Sequence, residues 1–382
     1  MKNMINNPFV VYGYEGPEFF CDRREETDRF INLVTNGNNI VVMSPRRLGK
    51  TGLIHHAFHM MRERDPEIAC FYIDIFATKS LEQMVQLLAG AIVGKLDSKK
   101  QSIQRKLSTM FRSLRPTMNF DALDGTPTVS FDIVPEQSQA TLSQIFKYIE
   151  LSEKRCYLAI DEFQQTLSYP GPSADALIRS FTQFIPNLTL IFSGSQQHLL
   201  SEMFLSPKHP FFGSASFLSL KEIDEKEYLH FANGFFSKQK RSLSAEDFHE
   251  LYSLVDGQTW FVQKILNRLY SLTGNIDNGS IITVVNQIID EAEAGYQQIC
   301  NLLTVNQLQL LIAIAAAGKV KSPTSGEFIK KYDLPSPSSI KLAIDTLVDR
   351  ELVYRTTDNI YIVYDRFFNI WLKRNYYALH QR

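Results

Sequence analysis

Asn38-Asn39-Ile40-Val41-Val42-Met43-Ser44-Pro45-Arg46-Arg47-Leu48-Gly49-Lys50-Thr51-Gly52-Leu53-Ile54 decides how the rest of the chain is read. Its order is a short apolar strand, a loop of small and basic residues, then a helix opening on a lysine and a threonine. That is the layout of a phosphate-binding loop, G-x-x-x-x-G-K-[ST]. Gly49 lets the backbone turn beneath the phosphates, where a Cβ would collide. N–H groups at the helix start point at the anion, and the helix dipole adds to their pull. In this reading Lys50 reaches the β- and γ-phosphates and the Thr51 hydroxyl ligates Mg²⁺. Ser44 stands where the first glycine belongs. It is small and turn-tolerant, and that position does not meet the phosphates most closely. Pro45 brings no N–H, which leaves the donors to Arg47 through Thr51. The expected ATP cradle is therefore Ser44, Pro45, Arg46, Arg47, Leu48, Gly49, Lys50, Thr51 and Gly52. On the loop alone, a chance Gly-Lys-Thr in an ordinary strand-to-helix turn is the alternative.

A second anchor lies roughly 110 residues further on, in Cys156-Tyr157-Leu158-Ala159-Ile160-Asp161-Glu162. It is an apolar strand ending in two carboxylates, and parallel α/β sheets place ligands at the carboxyl ends of their strands. Asp161 is expected to hold Mg²⁺ through water, together with Thr51, and Glu162 to polarise the attacking water. Between the anchors, Ile68 to Phe76 is a nearly unbroken apolar run, suited to a parallel strand covered on both faces. Asn187 to Gln196 repeats the pattern of strand followed by small polar residues. Ser195 is the first candidate there to sense the γ-phosphate and Ser193 the second, with a plain strand-exit turn as the alternative. Helical patterns fill Leu81 to Leu96 and Gln139 to Glu153, and Val129 to Val134 reads as a short strand. Asp97 to Thr128 is basic, with Lys99, Lys100, Arg105, Lys106, Arg112 and Arg115, and is broken by Pro116 and Gly125. It reads as an excursion from the sheet, either a solvated helix face or a nucleic-acid contact. In the entry segment, Phe9, Tyr12 and Phe20 are candidates for packing on adenine or for ordinary core.

From Lys221 the strand patterns stop. Helical periodicity runs through Asp224 to Phe236, Ala245 to Val255, Trp260 to Leu272 and Ile281 to Ala294, with Ser244 as an N-cap and Gly257 as a terminator. The last part carries helices at Val305 to Ala316, Thr324 to Lys331 and Ser338 to Arg350. Two β-rich pieces follow, Leu352-Val353-Tyr354 and Ile360-Tyr361-Ile362-Val363. Three helices and a hairpin in that order predict a winged helix-turn-helix. The expected organisation is a core over residues 1–220, a helical lid over 221–300 and a winged helix over 301–382. From Asn301 onward there are eleven Lys/Arg against seven Asp/Glu. The expected recognition helix carries Lys341 and Arg350 but also Asp345 and Asp349. Base reading favours exposed Arg, Lys, Asn or Gln, so DNA and protein partners both stay open.

Composition sets outer limits. At 382 residues and 44% hydrophobic content the chain can bury a sizeable core. A formal net charge of −1 gives no global field for nucleic acid or membrane. Cys21, Cys70, Cys156 and Cys300 are far apart and lack zinc or redox spacing, as in a reduced cytoplasmic protein. No cationic-then-apolar leader opens the sequence, and no apolar run reaches membrane-spanning length. A cytoplasmic protein without membrane contact is expected.

These residues together resemble the archaeal-type ATPases of the STAND group of P-loop NTPases, also seen in bacteria as AAA-like ATP-binding proteins. The resemblance rests on Phe20-Cys21-Asp22-Arg23, Ser44 to Thr51, Ile160-Asp161-Glu162-Phe163-Gln164 and Phe192-Ser193-Gly194-Ser195. It continues in Asp256-Gly257-Gln258-Thr259 and in Tyr364-Asp365-Arg366-Phe367-Phe368-Asn369-Ile370-Trp371. It implies an ATPase core, a helical lid and a C-terminal winged helix, used as a nucleotide switch. Ser214 stands where that family often has an arginine, and Thr259 where its lid motif carries a proline. The combined expectation is an α/β P-loop NTPase that binds ATP/ADP with Mg²⁺ and hydrolyses ATP slowly. Lys50, Asp161, Glu162 and Ser195 form its catalytic set, and the nucleotide-free state is a monomer or weak dimer. The rival expectation is a DNA-binding regulator in which ATP only sets conformation.

Overall fold

The computed structural model describes residues 7–96, 114–120, 127–356 and 358–377. They divide into two compact units, one of Tyr12–Glu222 and one combining Ile223–Arg382 with the N-terminal segment to Val11. The basic run from Lys99 to Arg112 lies outside the described residues.

The first unit is built on a parallel sheet of β1 (Ile40–Met43), β2 (Ala69–Asp74), β5 (Cys156–Asp161), β6 (Leu188–Gly194) and β7 (Ser216–Ser219). Their order across the sheet is β2-β5-β6-β1-β7. Side chains alternate between two apolar layers, as a sheet covered on both faces requires. Val41, Leu158, Ile160 and Phe192 enter one layer, whereas Ile40, Val42, Tyr157, Ala159 and Ile191 enter the other. The second layer is closed by α1 (Arg24–Thr35) and α2 (Lys50–Arg64). The first is closed by α3 (Leu81–Ile92), α4 (Ser138–Glu150), α5 (Ala174–Thr182) and α6 (Gln197–Leu205). Helix α3 stops short of Leu96 because Gly94 takes φ 82. An antiparallel hairpin, β3 (Leu114–Phe120) with β4 (Pro127–Ile133), stands outside the main sheet.

Helices α7 (Glu225–Phe236), α8 (Ala245–Leu254), α9 (Thr259–Ser271) and α10 (Asn278–Asn301) open the second unit. Phe9 belongs to this unit, where its fully buried ring packs against Phe231, Phe235, Phe236 and Tyr270. It is core. Helix α10 runs beyond Ala294 because Tyr296 and Cys300 continue its buried face. Next come α11 (Val305–Ala317), α12 (Gly326–Lys331), α13 (Pro337–Asp349) and the hairpin β8 (Val353–Arg355) with β9 (Tyr361–Val363). Val320 bridges to Tyr361 as a third, one-residue rung, completing a winged helix-turn-helix. Ser336 caps α13 through Ser339 N, and Pro337 occupies its first turn, where no N–H is needed. A closing helix, α14 (Arg366–Leu372), buries Phe367, Phe368 and Trp371. The fold is thus an α/β P-loop core with further helices and a C-terminal winged helix. Among the described residues no helix is long and apolar enough to cross a membrane.

Candidate active site

Strand β1 ends at Met43, and the chain crosses Ser44 to Gly49 before α2 begins at Lys50. Ser44 is fully enclosed, and its hydroxyl is turned inward onto Pro45 O at 2.8 Å. Arg47 and Gly49 take left-handed backbone, φ 68 and 99, with Leu48 between them outside that region. Such alternation turns successive N–H groups toward one concave side, the geometry of an anion nest. Lys50 is buried, and its Nζ donates to Ser44 O at 2.9 Å and Pro45 O at 3.2 Å. The ammonium thus lies inside the curl of the loop. Behind the loop, buried Arg23 donates to Leu48 O at 2.7 Å and Lys221 O at 2.9 Å, and pairs with Glu26 at 2.9 Å.

Parallel pairing of β1, β5 and β6 brings the two carboxylates to the same end of the sheet. Thr51 Oγ1 donates to Asp161 Oδ2 at 3.0 Å, joining the start of α2 to the end of β5. Tyr72 donates to the same oxygen at 2.7 Å. Ser193 Oγ and Glu162 N donate to Oδ1 at 2.6 and 3.0 Å. Burial first, and then the Asp161 charge, push the Tyr72 phenol far above its ordinary range, so it acts as a donor.

Glu162 has φ 56, which swings its side chain toward the end of β6. Its Oε2 accepts from Gln164 Nε2 at 2.6 Å, Ser195 N at 3.1 Å and Ser195 Oγ at 2.9 Å. Ser195 Oγ accepts in turn from Arg46 Nε at 3.2 Å, while the Arg46 guanidinium lies over the Phe76 ring, 4.7 Å from its centre. Gly194 leaves the space that the Gln164 amide fills, because a Cβ there would overlap Gln164 Oε1 and Leu200 Cδ1.

The structure brings together Ser44 to Gly52, Asp161, Glu162, Ser193 and Ser195, with Ser193 on Asp161 and Ser195 on Glu162. Of the entry aromatics, Phe20 lies beside the loop. A Cβ on Gly52 would be 3.4 Å from its ring, which stacks on His56 with centroids 4.2 Å apart. Tyr14 joins the group through a 2.9 Å hydrogen bond to His56 Nδ1. Tyr12 is largely exposed, and Phe9 lies in the other unit. Sequence reasoning missed Tyr72, Gln164 and the bracing role of Arg23. The last two sit in motifs that were already visible, and Tyr72 lies two residues before Asp74 on the face it shares with that carboxylate.

The donor set suits a nucleoside triphosphate with a hard cation. It offers an ammonium within the loop, two left-handed turns, and a hydroxyl and a carboxylate in contact. Oxygen ligands that leave most positions to water and phosphate are what Mg²⁺ accepts. Among the described residues no group of three or more His, Cys, Asp or Glu forms a metal cluster.

A sequence profile described as an ATPase domain predominantly from Archaea matches residues 20–265, and one described as a probable winged helix domain matches residues 294–374. No curated protein sequence matches the chain. Among solved structures, the Walker-type ATPase of Pyrococcus abyssi is 18% identical with a TM-score of 0.64, over 96% of this chain and 99% of that one. The Aeropyrum pernix ORC2 protein, in ADPNP–ADP complexes, is 15% identical with a TM-score of 0.58, over 98% of each chain. The ORC1 protein of the same organism, solved in complex with DNA, is 10% identical with a TM-score of 0.53, over 98% of each chain. At these identities the likeness is one of fold. The ATPase profile covers well over half of the sequence, and the chain belongs to that family, the ATPase domain found predominantly in Archaea.

Proposed function

We propose that this protein binds ATP with Mg²⁺ in the Ser44–Gly52 loop, hydrolyses it slowly and works as a cytoplasmic nucleotide switch of the STAND type. The observation that carries the reading is the 3.0 Å Thr51–Asp161 hydrogen bond, which fastens the phosphate loop to the carboxylate strand with Glu162 next in sequence. Lys50 trades its loop carbonyls for phosphate oxygens. Thr51 and Asp161 would hold the metal side. Glu162 orients the attacking water and takes its proton at a carboxylate oxygen, which requires it to loosen from Ser195. Mg²⁺, when bound, offsets the charge of the phosphates. Because Glu162 starts in a clasp of three donors, basal turnover is expected well below the ~10 s⁻¹ of a typical enzyme. The nucleotide-free protein is expected to be a monomer or weak dimer.

Titration with a fluorescent ATP analogue, run beside phosphate release, tests the reading. Lys50→Ala should abolish binding, whereas Glu162→Gln should keep binding and lose turnover. Unchanged affinity in the Lys50 variant would remove the site from this loop. A second reading, a DNA-binding regulator conditioned by ATP, is favoured by the winged helix and by the fold shared with the DNA-bound ORC1 structure.

A further inference from the structure

We propose that Arg46 supplies, from the phosphate loop of the same chain, the guanidinium that stabilises the phosphoryl group in transfer. This rests on the hydrolytic reading of the site. During hydrolysis the water oxygen bonds to the γ-phosphorus as the bond from that phosphorus to the β,γ-bridging oxygen breaks. The electron pair leaves on the ADP oxygen, and a water proton passes to Glu162. Negative charge builds at the transferring end of the nucleotide, where an arginine contributes most.

Arg46 is a member of the loop that cradles the phosphates, and its side chain runs to the side where Glu162 lies. Its Nε is 3.2 Å from Ser195 Oγ, and that hydroxyl is 2.9 Å from Glu162 Oε2. The guanidinium is thus two hydrogen bonds from the carboxylate that handles the water. The Phe76 ring beneath it is 54% exposed.

Two other basic groups around the loop are placed differently. Arg23 is buried behind the loop and fixed by two carbonyls and Glu26, so it braces the backbone. Lys50 sits within the curl of the loop and lacks the planar fork. Ser214 closes its own turn onto Phe211 O at 2.7 Å. A site carrying its arginine in cis needs no neighbouring subunit to complete it. Turnover per chain should then be the same at every protein concentration.

The test uses full-length protein, wild type beside Arg46→Ala and Arg46→Lys, in three measurements. These are ADP affinity, steady-state phosphate release, and tightening of ADP by aluminium fluoride, which imitates the transferring phosphoryl group. Both variants should bind ADP within roughly twofold of wild type. Both should lose turnover by about 10³-fold or more. Aluminium fluoride should tighten ADP only in wild type, and added guanidinium ion should restore part of the turnover of Arg46→Ala. Thermal midpoints equal to wild type would show that the variants are folded. Trapping retained in either variant, an active Arg46→Lys, or wild-type turnover that rises with concentration would each overturn the assignment. Wild-type protein that binds no ADP would overturn the hydrolytic reading along with it, which separates the two failures.

Discussion

Tyr72 and Asp161 face each other from adjacent strands, and their 2.7 Å hydrogen bond falls on the oxygen that Thr51 also uses. With Ser193 and Glu162 N on the other oxygen, four donors share one carboxylate, about as many as its lone pairs accommodate. A metal-bound water approaching Asp161 must compete for one of these places. On the proposed reading Thr51 serves the metal and Glu162 N is backbone, and Tyr72, unlike Ser193, sits on the oxygen that Thr51 uses, so Tyr72 is the donor whose loss would help most. Tyr72→Phe is expected to lower the Mg²⁺ concentration for half-maximal nucleotide binding by roughly three- to tenfold, less than the full strength of a hydrogen bond to a charged group, because water partly replaces it. The check is a Mg²⁺ titration at fixed fluorescent nucleotide. A higher Mg²⁺ requirement in the variant would mean that the phenol supports Asp161 instead of occupying it.

Helix α2 joins binding to stability, since it starts in the phosphate loop and carries His55 and His56 one turn later. Burial, its largest cause in each case, holds both imidazoles below the ordinary pKa of about 6.5, with Arg62 adding to the effect at His55 and His59 at His56. Folded His55 and His56 are thus neutral where the unfolded chain has begun to bind protons. Their contribution is fully present above about pH 6.5 and is lost as pH falls from there through the folded values. The thermal midpoint should fall between about pH 7 and pH 5.5, and less steeply in a His55→Gln, His56→Gln double variant. Parallel acid limbs in the two proteins would dismiss these histidines as the cause. The start of α2 was legible because a glycine, a lysine and a hydroxyl at fixed spacing are a local signal. The carboxylate strand was legible for the same reason. Tyr72 was not, because its meaning depends on β2 pairing with β5, 89 residues later. Helix α14 was hidden differently. Phe367, Phe368 and Trp371 mark a buried face, but seven residues span too few turns to show a period. Gln164 and Arg23 stood in visible motifs whose residue types do not say what they touch.

Charge across the whole molecule is balanced, with 40 Lys and Arg against 41 Asp and Glu, so any DNA affinity must come from a local surface, and the winged helix is one candidate. The exposed face of α13 offers Lys341, Leu342 and Asp345, and Leu342 is 72% exposed where a base reader would place a polar side chain. Arg350 is drawn to Leu302 O at 3.1 Å, and Arg355 on the wing to Asn359 Oδ1 at 2.6 Å. Lys319, Lys321, Lys330 and Lys331 remain exposed, which suits phosphate contacts that carry no sequence information. Within the same unit, buried Arg366 at the start of α14 pairs with Asp256 at 3.1 Å, and Gln258, its amide oxygen turned toward the guanidinium, accepts from Nε and Nη2 at 3.1 Å. Two motifs 110 residues apart thus close on each other, tying the winged helix to the helices before it. Full-length protein, with and without ATP, should show weak retention of duplex DNA at ~50 mM salt, without sequence preference, and lose it by ~200 mM. Replacing Lys330 and Lys331 by Gln should flatten that salt dependence by up to about two units of slope. A shift that selects one duplex over others and survives ~200 mM salt would make α13 a reader and put the DNA-regulator reading first.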